Sequence, residues 1–305
     1  MGVFICPLLM KKLFRFLLFL ILLSSVCKAD DLNTFDNNDV TILYDNGLEK
    51  AALSTARIYP DVKNDLENKI GWEVDFKPVI YLVKTHESFQ RISGHPLVVG
   101  FAVPEKMLIV IDYSKMASDP FSIASIMKHE LCHLLLHKNI HGEKLTKWLD
   151  EGVSQWVSGG IADIIMADYS RIDSAVVTGG LIPFKYLTRS FPGDNEGLIL
   201  AYTQSKSLVE YMANEYGPDG IPHLLNSLKT GNDVESAVSK SFSISFDELE
   251  KNWYSDVKKK ATWLTILINH LYEIVFFLAA ITLVIAYVKI VIRKRSERYD
   301  EGDES

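Results

Sequence analysis

The chain has few cysteines for its 305 residues: three in all, two of which, Cys6 and Cys27, fall in the first 30 positions. The remaining Cys132 has no partner for an internal disulfide, which excludes a small disulfide-stapled domain. The chain after position 30 also lacks an Asn-x-Ser/Thr glycosylation acceptor. An exported eukaryotic domain of this size more often has one or the other, so these absences favour a bacterial cell envelope.

The middle of the chain also lacks any excess of basic residues. Residues 30–263 carry 23 basic and 33 acidic side chains, and no basic stripe interrupts them. This balance argues against nucleic acid as a partner. With 48% hydrophobic and 23% charged residues, the composition also excludes a disordered chain and is sufficient for a folded core.

The first 29 residues have the composition of a secretory signal peptide. The basic pair Lys11-Lys12 precedes an apolar run over Leu13–Val26, and a cut after Ala29 would have small residues at the −3 and −1 positions. Arg15 is unusual within such a run, so an uncleaved N-terminal anchor stays open as the alternative.

A second apolar segment, residues 264–292, predicts one transmembrane helix. Its only charged residues are Glu273 and Lys289, and both lie where a long side chain can reach the membrane interface. The basic run Arg293-Lys294-Arg295 follows directly and predicts a cytoplasmic tail over residues 293–305. We therefore expect a single-pass protein of the cell membrane whose main domain lies on the extracytoplasmic face. A buried core helix is the alternative interpretation of this segment.

Between these ends, strands come first and helices follow, which predicts an α+β domain. Residues 30–117 form the strand-rich part and residues 118–262 the helical part, with no internal repeat or low-complexity linker. Two apolar runs around the turn at 104–106 predict a β-hairpin. A helix is predicted from the Asp119-Pro120 start signal to about His137.

That helix contains the sequence His129-Glu130-Leu131-Cys132-His133. Residues four apart lie on one face of a helix, so His129 and His133 can both bind one Zn²⁺. Glu130 then lies beside the metal, where it can take a proton from water and return it to a leaving amine. A chance pair of histidines is the alternative to this interpretation, and Cys132 is expected to be a small buried residue.

A catalytic zinc site needs a third protein ligand and one open position. The predicted third ligand is Glu151, which seventeen residues separate from His133, enough for a turn and a returning helix. A glutamate in the first helical turn that only complements the helix dipole is the alternative. His137 lies one turn too far along the first helix, and His141 is expected in a surface loop.

These motifs resemble the gluzincin metallopeptidases of the peptidase MA clan, in particular peptidase-MA-like domains of bacterial envelope proteins. The resemblance covers about residues 39–256 and is carried by three segments: 129–133, 148–152 and 201–212. It implies a zincin-like fold, in which a small mixed sheet packs on the active-site helix and a helical subdomain follows. It also implies that Tyr202 steadies the oxyanion as a catalytic residue with Glu130, and that the strand around 100–102 pairs with the substrate backbone. A buried aromatic and an ordinary apolar strand are the respective alternatives.

The resulting hypothesis is zinc-dependent peptide-bond hydrolysis by a membrane-anchored enzyme with one Zn²⁺ per chain, held by His129, His133 and Glu151. The Gly-Ala-Met-Glu-Asn segment with which related aminopeptidases bind a free N-terminus is missing, which favours an endopeptidase acting on envelope or secreted polypeptides. The alternatives are a non-catalytic membrane-anchored binding or assembly module that retains a zincin fold, and a zinc hydrolase of esters. The sequence gives no indication of an oligomeric state.

Overall fold

The computed structural model describes residues 32–94, 98–116, 122–159, 172, 175, 176, 178–269 and 271–300. The predicted signal peptide lies outside this part of the chain. The described residues divide into two units, one drawn from Met1–Asp168 and Ile182–Phe246, the other from Tyr169–Leu181 and Asp247–Ser305.

The first unit contains a five-stranded mixed sheet. Its strands are β1 (Asn33–Asp36), β2 (Thr41–Tyr44), β3 (Val79–Val83), β4 (Gly100–Val103) and β5 (Leu108–Asp112). The strand order is β1-β2-β3-β5-β4, with β2, β3 and β5 parallel and the two edge strands antiparallel to their neighbours. The predicted hairpin is confirmed as β4–β5, joined through a 3₁₀ turn at Pro104–Lys106.

Helix α1 (Glu49–Ile70) makes the crossover that two parallel strands require, leading from β2 to β3. It packs on one sheet face together with helix α3 (Ile123–Asn139). Ile42, Ile80 and Ile109 lie side by side in the register of the three parallel strands and are fully buried. A row of apolar side chains, one from each of three neighbouring strands, therefore forms the core on which α3 packs.

Helix α2 (His86–Ser93) packs against β3 and β5, and its Phe89 is fully buried beside Val83 and Val110. The N-terminus of α2 is capped by Thr85, whose side chain accepts a hydrogen bond from the backbone N–H of Ser88.

Helix α3 begins later than the sequence predicts. Ser122 has an extended backbone and is the N-cap, so the first helical residue is Ile123, and the helix ends at Asn139. The expected N-cap at Asp119 is therefore wrong, although Asp119 itself lies outside the described residues. The helix is buried almost all round from Ile126 to Leu136 because it lies between the sheet, α1 and a further helix.

That further helix is α4 (Lys147–Ser158), which packs against both α3 and α5 (Asn195–Tyr216). Two shorter helices, α6 (Gly220–Lys229) and α7 (Val234–Phe242), follow, so the helical second half of the α+β prediction is confirmed. A 3₁₀ turn at Phe184–Tyr186 precedes α5.

Helices α8 (Phe246–Asn269) and α9 (Leu271–Asp300) complete the described chain. Within α9, Leu271–Ile290 has a mean hydropathy of 2.3 over its most apolar window, and none of that window is buried. By length and composition it is the one helix of the described residues that could cross a membrane. It falls within the segment 264–292 that the sequence predicts to do so.

Candidate metal centre

The two histidines of α3 and the glutamate of α4 converge on one point. Nε2 of His129 lies 3.2 Å from Nε2 of His133. Oε2 of Glu151 lies 3.7 Å from the first nitrogen and 3.6 Å from the second. The fold therefore brings together the three residues that the sequence predicts as metal ligands.

These spacings fit a tetrahedral zinc ion. Bonds of about 2.0–2.1 Å at tetrahedral angles separate neighbouring ligand atoms by about 3.3 Å. Two imidazole nitrogens and one carboxylate oxygen are a donor set typical of catalytic zinc, which leaves a fourth position for water or substrate. His129, His133 and Glu151 are also the one group of three metal-binding side chains found this close together in the described ranges.

A second layer of side chains from α4 fixes the orientation of the imidazoles. Nδ1 of His133 lies 2.7 Å from Oδ1 of Asp150 and 3.2 Å from the hydroxyl of Ser154. Nδ1 of His129 lies 3.4 Å from the hydroxyl of Ser158. With each Nδ1 bonded to α4, both Nε2 atoms are left to face Glu151, as metal-binding histidines require.

Asp150 also bonds a third histidine. Its Oδ2 lies 2.9 Å from Nε2 of His137, so the carboxylate bridges His133 and His137. His137 is consequently held away from the three convergent ligand atoms, in line with the sequence argument that it lies one turn too far along α3. His141 is exposed, as expected of a surface loop residue.

The electrostatics of the site follow from burial and charge pairing. Burial lowers the pKa of His133, but the carboxylates of Asp150 and Glu151 outweigh it and raise that pKa to about 9. Burial raises the pKa of Glu151, but the facing His133 and the neighbouring His129 and Lys147 lower it to about 2. A metal ion that binds here would therefore displace a proton from His133 and would meet Glu151 already ionised.

Glu130 and Tyr202 lie at the same site. Burial raises the pKa of the Glu130 carboxyl group above its ordinary value. Burial also raises the pKa of the Tyr202 hydroxyl, and the negative charge of the nearby Glu151 carboxylate raises it further. Tyr202 thus stays protonated and can act as a hydrogen-bond donor. Its ring packs edge-on against Phe191 at 5.0 Å between centroids.

Two glycines allow the close approaches around these residues. A Cβ on Gly152 would lie 2.6 Å from the backbone oxygen of Ser205, so this glycine allows α4 to lie against α5. A Cβ on Gly100 would lie 3.2 Å from Oε1 of Glu130, which brings edge strand β4 beside that carboxylate. Gly100 therefore lies next to Glu130, and β4 is an edge strand as predicted.

The start of α4 is held by backbone groups. The N–H groups of Lys147 and Trp148 donate to the carbonyls of Thr188 and Leu187, at 2.7 Å and 3.1 Å. These contacts satisfy donors that a helix leaves unpaired in its first turn. They also fix the position of the first turn of α4, which leads directly to Glu151.

Three members of the site, Asp150, Ser154 and Ser158, are not among the residues predicted from the sequence. Their spacing of four residues was nevertheless visible, because it puts three polar side chains on one face of a helix whose other residues are mainly apolar. Cys132, by contrast, is fully buried, and burial raises the pKa of its thiol, as expected for a packing residue.

Solved structures that resemble the chain come from longer proteins. Yeast LTA4 hydrolase in complex with bestatin is 14% identical, with a TM-score of 0.44 over 76% of this chain and 37% of its own. An M1 zinc metallopeptidase from Deinococcus radiodurans is 14% identical, with a TM-score of 0.42 over 73% of this chain and 50% of its own. The chain thus spans half or less of the length of these proteins. No curated protein matches it in sequence.

A family comparison covers more than half of the chain. The model of the Peptidase MA superfamily matches residues 74–259, a range that includes strands β3 to β5, the two helices of the site and Tyr202. The chain therefore belongs to the Peptidase MA superfamily.

Proposed function

We propose that the chain is a zinc metallopeptidase of gluzincin type, anchored in the cell membrane by α9. The observation that carries the proposal is the convergence of Nε2 of His129, Nε2 of His133 and Oε2 of Glu151, with both Nδ1 atoms engaged from α4. Membership of the Peptidase MA superfamily supports the same activity.

In the proposed mechanism, His129, His133 and Glu151 hold one Zn²⁺ per chain. When bound, the zinc ion would lower the pKa of water and polarise the substrate carbonyl. Glu130 accepts the proton of the attacking water and passes it to the nitrogen of the leaving peptide as the C–N bond breaks. Its raised pKa suits this role, because burial favours the protonated intermediate state of the carboxyl group.

Two further elements act on the substrate in this proposal. Tyr202, which stays protonated, donates its hydroxyl hydrogen to the oxygen that gains negative charge. Strand β4, at the edge of the sheet and beside Glu130, pairs with the backbone of an extended peptide.

We further propose an endopeptidase with polypeptide substrates. The support is the absence of the Gly-Ala-Met-Glu-Asn segment with which aminopeptidases of this clan bind a free N-terminus. A fluorogenic peptide blocked at both ends distinguishes the two activities. Cleavage of the blocked peptide supports the endopeptidase, and cleavage only of peptides with a free N-terminus contradicts it.

The proposed location is the outer face of the cell membrane, with residues 1–29 as export signal and the tail after α9 in the cytoplasm. The apolar window Leu271–Ile290 and the basic residues 293–295 support this topology. A membrane-impermeant maleimide applied to intact cells tests it. It should label Ser239→Cys, on the exposed surface of α7, and leave Ser296→Cys unlabelled.

The central experiment measures zinc per chain in the full-length protein in detergent, beside its Glu151→Ala and Glu130→Gln variants. We expect about one zinc in the wild type and in Glu130→Gln, and a large loss in Glu151→Ala. Peptide cleavage should disappear in both variants. A folded wild type without zinc contradicts the proposal, and a cellular phenotype that survives Glu130→Gln would favour the non-catalytic binding module.

A further inference from the structure

Lys147 is the first residue of α4, and its ammonium group reaches into the site. Its Nζ lies 2.6 Å from Oε1 of Glu151, and its side chain is 38% exposed while that of Glu151 is only 6% exposed. The lysine therefore bonds an almost fully buried carboxylate from the rim of the site.

The two oxygens of Glu151 thus have different partners. Oε2 faces Nε2 of His129 and of His133 at 3.7 Å and 3.6 Å, whereas Oε1 is held by Lys147. A carboxylate with both oxygens free can bind a metal through both and so occupy an additional coordination position. Because a charge-assisted hydrogen bond engages Oε1, only Oε2 is free to approach the histidines.

Helix stability gives no reason for a lysine at this position. The N-terminus of a helix carries partial positive charge, so a cation in the first turn is unfavourable. A lysine four residues before a glutamate is also the weaker order of an i,i+4 pair, worth only a few tenths of a kcal/mol on a helix surface. The orientation of the Glu151 carboxylate therefore explains the Lys147–Glu151 pair better than helix stability does.

The charges around Lys147 also indicate that it acts on the site. Three buried carboxyl groups, those of Glu130, Asp150 and Glu151, lie within electrostatic range of the Lys147 ammonium group. Buried carboxylates need a nearby cation, and the lysine supplies one that is present before any metal binds. It also orients Glu151 in advance, which lowers the cost of ordering that ligand.

We propose that Lys147 is a positioning residue that makes Glu151 a one-oxygen ligand and thereby keeps the fourth coordination position open for water and substrate. This inference rests on the proposed function, because it assumes that His129, His133 and Glu151 bind a metal ion. It adds a residue outside the three ligands and the general base.

The test uses cobalt in the full-length protein in detergent, because Co²⁺ absorbs visible light more strongly with four ligands than with five or six. In Lys147→Met, which keeps the length of the side chain and removes its charge, the visible absorption should weaken as Glu151 takes up both positions. Zinc affinity, measured by competition with a chelator, should fall about tenfold, as when other outer-shell partners are removed. Lys147→Arg should restore both.

Lys138→Met is the matched control. Lys138, at the C-terminal end of α3, is exposed to a similar extent and forms an ion pair 2.8 Å from the exposed Asp75. Its loss should leave the cobalt spectrum and the zinc affinity unchanged. A wild-type spectrum and affinity in Lys147→Met would overturn the inference. Should that variant fail to fold, Lys147→Gln carries the same test, since it also lacks the charge.

Failure of the proposed function and failure of the role of Lys147 give different results. If the wild-type protein binds neither cobalt nor zinc, the proposed function fails and takes this inference with it. If the wild type binds both and Lys147→Met is indistinguishable from it, only the role of Lys147 fails.

Discussion

Strand β3 and helix α4 are both largely buried, but only α4 buries polar side chains beside its apolar ones. Ile80, Leu82 and Val83 of β3 are fully buried and apolar. Asp150, Ser154 and Ser158 of α4 are 5%, 0% and 7% exposed and polar. Burying apolar groups is favourable in itself, whereas burying polar groups is costly unless each is paired.

The difference separates what the fold needs from what the site needs. Leu82 and its apolar neighbours stabilise the fold because their side chains are removed from water. Any protein with this sheet would gain the same stability from them. The polar face of α4 stabilises nothing comparable, and its members instead bond His129 and His133 or face them directly. Substitutions in the two regions should therefore separate stability from metal binding.

The largest effect on stability is expected at Ile80. Ile80→Ala leaves a cavity between β3 and the helices α1 and α3 that pack on the sheet. The substitution should lower the free energy of unfolding by about 2–5 kcal/mol. Urea titration of the metal-free full chain in detergent, followed by tryptophan fluorescence, measures this. At low urea the variant should still bind one zinc per chain. Loss of zinc binding from the folded variant would show that the sheet core and the site are not separable.

A smaller effect, on both properties at once, is expected at Gly152. A Cβ there would overlap the Ser205 backbone oxygen, so Gly152→Ala should force α4 away from α5 at a cost of about 1–3 kcal/mol. Because Glu151 moves with α4, zinc affinity should fall as well. Gly193→Ala is the control, since a Cβ there meets nothing within 4 Å. Equal behaviour of the two variants would contradict the proposed role of the glycine.

Asp150 should affect metal binding far more than stability. Asp150→Asn keeps the shape of the side chain but removes the charge that bonds Nδ1 of His133, so zinc affinity should fall 10- to 100-fold. That range corresponds to about 1.4–2.7 kcal/mol of binding free energy. Chelator competition measures it.

His137→Ala is the comparison for Asp150. It removes only the partner of Oδ2 and leaves the 2.7 Å contact to His133, so its effect on zinc affinity should be less than tenfold. If His137→Ala weakened zinc binding as much as Asp150→Asn, the bridge between the two histidines, rather than the Asp150–His133 bond, would control the site.

The sequence predicts which three candidate ligands the fold brings together, because their signals are local. His129 and His133 share a helical turn, and Glu151 lies in a second motif at a distance that a return helix can span. It does not predict the partners of those ligands, because the contact of Ser158 with His129 depends on how α3 and α4 cross. The roles of Tyr202 and Glu130 stay predictions, although the fold brings both to the site.

Local signals also fail where tertiary structure overrides them. The Asp119-Pro120 pair has the form of a helix start, yet the backbone of Ser122 is extended and α3 begins at Ile123. The sequence does not predict strand β1, because three of the four residues in Asn33–Asp36 are polar and the segment forms a strand by pairing with β2. The pairing partner follows directly after a short turn, but the composition of Asn33–Asp36 alone does not indicate it.

The smallest effect is expected at Thr85, whose side chain caps α2 on the sheet face away from α3. Thr85→Ala removes the acceptor for the backbone N–H of Ser88, 3.2 Å away, and should lower the free energy of unfolding by about 1 kcal/mol. Zinc affinity should not change, because Phe89 of α2 packs on Val83 and Val110 rather than on the site. Urea titration and chelator competition on one preparation measure both quantities. If this cap changed zinc affinity as Asp150→Asn is expected to, the site would depend on the whole sheet, and apolar and polar burial would no longer divide fold from function.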